Sequence, residues 1–158
     1  MIRRPLIALA AVGAALAACA KTTATENPAA DAAEPALAIS AASPDLAWGP
    51  CPPNFPAGCE IAALHGDLAG VNADIFLRVP SGYKIPPHRH TSAERMVLVS
   101  GELKVTYKGQ AAQTLRVGDY AYGPANMPHD AACLSSGSCT LFIAFESAID
   151  ANPYEGEL

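Results

Sequence analysis

The chain has 158 residues, a net charge of −5 and 51% hydrophobic residues. That length holds one ordinary domain with a short extra segment. The acidic balance, with no basic cluster beyond Arg3-Arg4, leaves no electrostatic case for a nucleic-acid partner.

Met1-Ile2-Arg3-Arg4-Pro5 puts two positive charges ahead of an apolar run from Leu6 to Ala18. This is the charged and apolar layout of a secretory signal. The run is shorter than the roughly 20 residues that a bilayer-spanning helix needs. It ends in Leu16-Ala17-Ala18-Cys19, which resembles the bacterial lipobox. The resemblance implies a lipoprotein signal peptide over 1–18, acyl chains on Cys19 and a membrane partner reached through that anchor. Ala20, rather than aspartate, follows the cysteine. By the same resemblance this points to the outer membrane, with the domain facing the periplasm. The alternatives are an ordinary signal peptide cut after an Ala-x-Ala site and an uncleaved apolar N-terminus. Without Arg3 and Arg4 the charge becomes −7.

Cys19 opens the segment 19–44, whose residues after the cysteine are rich in Ala, Thr, Pro and Glu with no regular apolar period. Such a segment buries too little apolar surface to offset its ordering entropy and reads as a flexible linker. It would span roughly 25–30 Å as a random coil. The folded part is then 45–152, with 153–158 as a C-terminal tail.

Cys51 and Cys59 flank a Pro/Gly-rich stretch, and Cys133 and Cys139 flank Leu-Ser-Ser-Gly-Ser, which reads as a hairpin turn. Four cysteines allow three pairings. Local pairing, 51–59 and 133–139, closes the shortest loops and suits an oxidising compartment. Each such loop contributes about 2–3 kcal/mol on the chain-entropy reading. A zinc-thiolate site is the competing idea, but the close Cys-x2-Cys spacing is missing.

From Glu60 onward, short apolar runs alternate with turn signals about every ten residues. Runs at 61–64, 74–79, 95–99, 114–117, 120–122 and 140–146 read as strands. Leu103, Val105 and Tyr107 alternate with Lys104, Thr106 and Lys108, the period-two mark of a half-exposed strand. No convincing amphipathic helix interrupts them. The prediction is an all-β sandwich or barrel with its ligand site in the mouth or interior.

His88 and His90 lie two apart, so in a strand both point to one face. Pro86-Pro87 keeps the preceding chain extended, and Glu94 lies beyond a short turn, able to return on the neighbouring strand. A third histidine, His129, follows the rigid Pro124–Pro128 stretch. Gly82, His88, His90, Glu94 and Gly101 fit G-x5-H-x-H-x3,4-E-x6-G, and Gly118, Pro124 and His129 fit G-x5-P-x-G-x2-H-x3-N. Together these resemble the two signature motifs of the cupin superfamily, in particular its small single-domain bacterial members. Asn126 stands where the family has glycine; asparagine also tolerates a left-handed backbone. Cys133 stands where the family often has asparagine. The resemblance covers Gly82 to Cys133 by motif and Asp45 to Glu146 by fold. It implies a double-stranded β-helix, or jelly-roll barrel.

It also implies that His88, His90, Glu94 and His129 ligate one divalent transition metal. A three-imidazole, one-carboxylate set suits Fe, Mn, Ni, Cu or Zn. Two positions of a six-coordinate ion would stay open for water or substrate, as catalytic sites require. Tyr83, Met96, Tyr120, Tyr122 and Met127 flank the motifs and are candidates for the pocket wall, with core packing as the blander reading. Arg78 could meet an anionic substrate if it points inward; by parity it shares a face with Phe76, and the pattern leaves the inner and outer face equally open for that pair. His65, beside Gly66-Asp67, reads as a surface-loop residue.

The first functional expectation is a metalloenzyme acting on a small organic substrate, dioxygenase-like or isomerase/lyase-like. The second is a non-catalytic module that binds or senses a metal or small ligand. A metal-free sugar-nucleotide epimerase is a third, weakened by the intact ligand set. Edge strands of a small sandwich invite a homodimer.

Overall fold

The computed structural model describes residues 34–158; the signal segment 1–18, Cys19 and the linker up to residue 33 lie outside the described residues. Residues 38–158 form one compact unit. Its strands are β1 (Gly49–Pro50), β2 (Glu60–His65), β3 (Ala73–Val79), β4 (Lys84–Arg89), β5 (Glu94–Ser100) and β6 (Glu102–Tyr107). They continue with β7 (Gln113–Arg116), β8 (Tyr120–Gly123), β9 (His129–Cys133), β10 (Cys139–Phe145) and β11 (Asn152–Pro153). Two antiparallel sheets result, one in the order β1-β2-β3-β10-β5-β8 and the other β11-β4-β9-β6-β7. The all-β jelly-roll expectation holds, and no helix occurs among the described residues.

Alternation decides which side chains fill the space between the sheets. In β6, Leu103 and Val105 are buried and Lys104 is exposed. Ile75, Val79, Leu98 and Leu141 complete the inner layer from the facing sheet. The outer face of the β3–β10 pair carries Phe76 against Phe142, edge to face with centroids 6.5 Å apart. Arg78 lies on that outer face. It pairs with Glu60 at 2.7 Å and stacks over Trp48, its guanidinium carbon 4.0 Å from the ring centroid.

Both local disulfides are present, Cys51–Cys59 and Cys133–Cys139. The second corrects the hairpin reading. Cys133 ends β9 in one sheet and Cys139 begins β10 in the other, so the segment between them crosses the sandwich. Gly101 sits against this crossing at φ 90°, and a Cβ there would lie 2.9 Å from Cys139 Sγ. A side chain at that position would therefore be strained twice over.

The C-terminal tail is also placed differently from expectation. Asn152 and Pro153 pair with Arg89 and His88, and the Tyr154 amide donates to the Pro87 carbonyl at 3.0 Å. The tail thus supplies an edge strand to β4, a role that its composition does not announce. At the other end, Ser43 N donates to Ser40 O at 3.0 Å, so the last linker residues already turn on themselves. His65 closes β2 and is exposed.

Candidate metal centre

Pro86-Pro87 shapes the first half of the site. Neither residue has an N–H to lose, and the β4–β9 register shifts between Ile85 and His88. The ladder resumes with His88 opposite His129, their rings 4.2 Å apart. His90 follows just beyond β4, its ring 4.8 Å from that of His88 and 5.2 Å from that of Phe145. Asn126 adopts φ 62°, the left-handed conformation expected where the family has glycine, and its amide donates to His90 O at 2.7 Å. The turn before His129 is thereby fastened to the histidine pair.

Glu94 comes from β5, which belongs to the facing sheet and not to a neighbour of β4. It points across the sandwich and is only 2% exposed. Its partner across the β5–β8 pair is Gly123. A Cβ on Gly123 would lie 2.6 Å from Glu94 Oε1, so the missing side chain makes room for the carboxylate.

The histidine tautomers are set by backbone carbonyls, which can only accept. His88 Nδ1 donates to Pro86 O at 2.8 Å, His129 Nδ1 to Met127 O at 3.0 Å, and His90 Nδ1 to Asp150 O. Each neutral ring therefore presents a bare Nε2. Burial keeps the rings neutral. It holds His88 down at about 3, helped by its two histidine neighbours, and His129 at about 4, and it lowers His90. One nitrogen from each of the three rings can be chosen so that all lie within 4.8 Å of one another.

Glu94 Oε1 lies 3.1 Å from His129 Nε2, and Oε2 lies 3.5 Å from His90 Nε2. These short distances are not ordinary ion pairs, because neutral rings bring lone pairs and no proton. Oε1 correspondingly has no hydrogen-bond donor. Burial pushes the Glu94 carboxyl up to about 8, so a proton on it is one relief for the opposed lone pairs. A cation among them is the other. The donor set, its locked orientation and the orphaned oxygen all fit a divalent metal ion.

These residues open onto a cavity of about 60 Å³ between the sheets. Met96 lines it, as the sequence suggested. The other pocket candidates are corrected. Tyr120 and Tyr122 are 58% and 48% exposed, because on edge strand β8 it is Ala121 and Gly123 that face inward. Tyr83 is buried outside the cavity wall, where its hydroxyl donates to Pro56 O. Arg78 lies on the outer face, as described. Met127 contributes its carbonyl to His129.

Three further contributors were not among the site candidates. Phe55 meets His88 edge to face with centroids 5.0 Å apart. Asp150 acts on His90 through its main chain, which no side-chain pattern reveals. Tyr107 lies opposite His129 in the ladder and has a buried hydroxyl with no partner. Burial, then the Glu94 charge, raises its pKa. Its inward direction was already implied by the alternation of β6.

Residues 75–145 match the family described as "Cupin domain". The chain carries a small domain of the cupin superfamily. No curated relative matches it. Among solved structures it is similar to an RmlC-like cupin from Shewanella frigidimarina, at 19% identity and a TM-score of 0.55, covering 66% of this chain and 86% of that one. A DMSP lyase from Ruegeria pomeroyi matches at 19% identity and a TM-score of 0.60, covering 71% of this chain and 64% of the lyase. A deletion variant of Bacillus subtilis oxalate decarboxylase matches at 19% identity and a TM-score of 0.55, covering 69% of this cupin chain but only 30% of the decarboxylase. The chain thus spans under two thirds of the lyase and under a third of the decarboxylase. At these identities the likeness establishes the fold alone.

Proposed function

We propose that this cupin is a lipid-tethered periplasmic metalloenzyme. In this reading His88, His90, Glu94 and His129 hold one divalent transition metal ion, drawn from Fe, Mn, Ni, Cu and Zn. One observation carries it: three imidazoles locked by backbone carbonyls bring bare nitrogens together, and one of them, on His129, lies 3.1 Å from a buried Glu94 oxygen that has no donor. A metal ion bound there would serve as Lewis acid or, if redox-active, as oxygen activator for a small organic substrate. The chemistry would be dioxygenase-like or isomerase/lyase-like.

The chain's own residues supply orientation and exclusion of water. Carbonyls 86, 127 and 150 fix the rings, Gly123 leaves the Glu94 carboxylate its space, and Phe55 and Phe145 cover His88 and His90 with aromatic edges. The enzymes among the structural neighbours are consistent with such use of the fold, though the fold does not assign a reaction. A non-catalytic binding module is the second reading. It is favoured by the wall's composition: among the described residues lining the cavity, the one ionisable side chain besides the four ligands is Asp150, whose carboxylate is engaged by Thr91 and Asn152.

The test is elemental analysis of the full-length protein, purified from the membrane fraction without a histidine tag, beside its His90→Ala variant. About one metal per chain in the wild type and almost none in the variant is expected. Absence of metal from both, even after reconstitution, would sink the metalloenzyme reading. Redox metals would direct screening to oxygen uptake, and zinc to isomerase, lyase or sensing roles, since zinc has no redox chemistry.

A further inference from the structure

We infer that the cavity selects a small ligand with a single polar end and an uncharged hydrocarbon remainder. The inference deepens the proposed function and takes from it only that the polar end faces the histidines.

The grounds are what the wall contains. The polar groups of the cavity gather at one place, the three histidines and Glu94. Away from them the wall is built by Ile75, Met96, Leu141 and Ile143 from one sheet and by Leu103 and Val105 from the other. Among the described residues lining it there is no Lys, Arg, Ser, Thr, Asn, Gln or Tyr. Asp150 is the remaining polar side chain, and both of its carboxylate oxygens already accept hydrogen bonds. Thr91 N and Oγ1 donate to it, each at 2.8 Å, and Asn152 Nδ2 donates at 2.9 Å. Its own carbonyl is held by His90. The charged side chain nearest to offering a counter-charge by sequence, Arg78, is on the outer face with Glu60 and Trp48.

A second carboxylate or an ammonium held against this apolar wall would therefore lose water and gain no partner. Burial of such a charge is strongly unfavourable unless it is paired. A methyl or methylene in the same place gains contact with wall atoms and leaves water. The volume, about 60 Å³, is several times the 10–15 Å³ that one water needs and so admits a chain of a few heavy atoms. Selection between ligands of equal length thus falls on the charge of the far end.

The experiment uses full-length protein labelled with 13C at the methionine methyls. Met96 lines the cavity, while Met127 lies outside the wall and serves as an internal control. In the cobalt(II)-loaded protein, butyrate, succinate and 4-aminobutyrate are titrated against the visible cobalt bands. In the chelator-treated protein, 1-butanol and 4-amino-1-butanol are titrated against the methyl signals of Met96 and Met127. Butyrate is expected to bind about tenfold or more tightly than the two ligands charged at the far end. 1-Butanol should shift the Met96 methyl saturably and leave that of Met127 in place, and 4-amino-1-butanol should do neither. Succinate or 4-aminobutyrate binding as tightly as butyrate would overturn the inference. So would a Met96 methyl indifferent to 1-butanol. Failure to load cobalt would count against the metal centre alone, because the chelated protein still decides whether the cavity prefers a hydrocarbon tail.

Discussion

Strand β9 has a histidine at one end and a disulfide at the other, and the two ends live under different rules. Around Cys133 every group is satisfied: the thiol bridges to Cys139, Gly82 N donates to the Cys133 carbonyl, and Leu98 and Leu103 pack nearby in the same core. Around His129 a carboxylate oxygen and a phenol hydroxyl are buried without donors or acceptors. The first end is what a sequence does to make one structure. The second keeps unsatisfied polar groups that stability alone would remove, which is the mark of a site kept for a ligand. If this division is right, substitutions at the disulfide end should change stability and spare metal content. Substitutions at the histidine end should do the reverse.

The largest effect is expected from Leu98→Ala. Leu98 is fully buried at 0% exposure and does not line the cavity. Truncation should cost about 3 kcal/mol in urea unfolding, with metal stoichiometry unchanged in the folded fraction. Loss of metal at full folding would blur the division. Next comes the double variant Cys133→Ala, Cys139→Ala. Its closed loop is short, so the expected loss is about 2 kcal/mol. Because this bridge joins the two sheets, the loss should appear as a lower midpoint for the whole domain.

The sequence made much of the histidine end legible, and the reasons are specific. His88, His90, Glu94 and His129 were readable because period-two geometry and fixed motif spacings constrain side chains. The inward set of β6 was readable for the same reason. Strand β9 itself, His-Asp-Ala-Ala-Cys, was not: its residues are poor strand formers, and pairing with β4 and β6 imposes the conformation. The tyrosines of β8 misled because bulk suggests burial, whereas an edge strand can turn small residues inward. Asp150 could not have been found, since a carbonyl has no residue type. The crossing of Glu94 from the opposite sheet is likewise a property of topology, which adjacency in sequence hides.

Glu94→Gln sharpens the comparison through pH. In metal-free protein burial holds the folded carboxyl up at about 8, against 4.5 in an ordinary setting. The folded state then binds more protons than the unfolded chain between those values, and stability falls as pH rises through the window. The histidines have the opposite sign. Their folded values are depressed, so their contribution is present above about 6.5 and lost as pH falls below it. Between about pH 6.5 and 8, Glu94 is the site group still titrating. Chelated wild type should lose stability on the order of 1 kcal/mol across that range, and Glu94→Gln should stay flat while taking up no metal. A flat wild type would show that the carboxylate already has a partner.

The smallest effect, and the most local, is expected at Asn54. The loop from Cys51 to Cys59 reaches from one sheet to β4 of the other, with Tyr83 holding Pro56 and Phe55 resting on His88. Asn54 Nδ2 donates to Ala151 O at 3.0 Å, joining this loop to the segment whose Asp150 carbonyl fixes His90. Asn54→Ala removes one half-buried hydrogen bond and should cost about 1 kcal/mol or less. Its consequence for the site should be larger than its consequence for the fold. With the 149–151 segment loosened, His90 loses part of what sets its tautomer, and groups supporting a metal-bound histidine commonly matter about tenfold in affinity. Metal affinity falling severalfold at nearly unchanged unfolding midpoint is the expected result. An equal fall in both would make the loop a plain structural staple, belonging with the Cys133 end of the molecule rather than with the histidines.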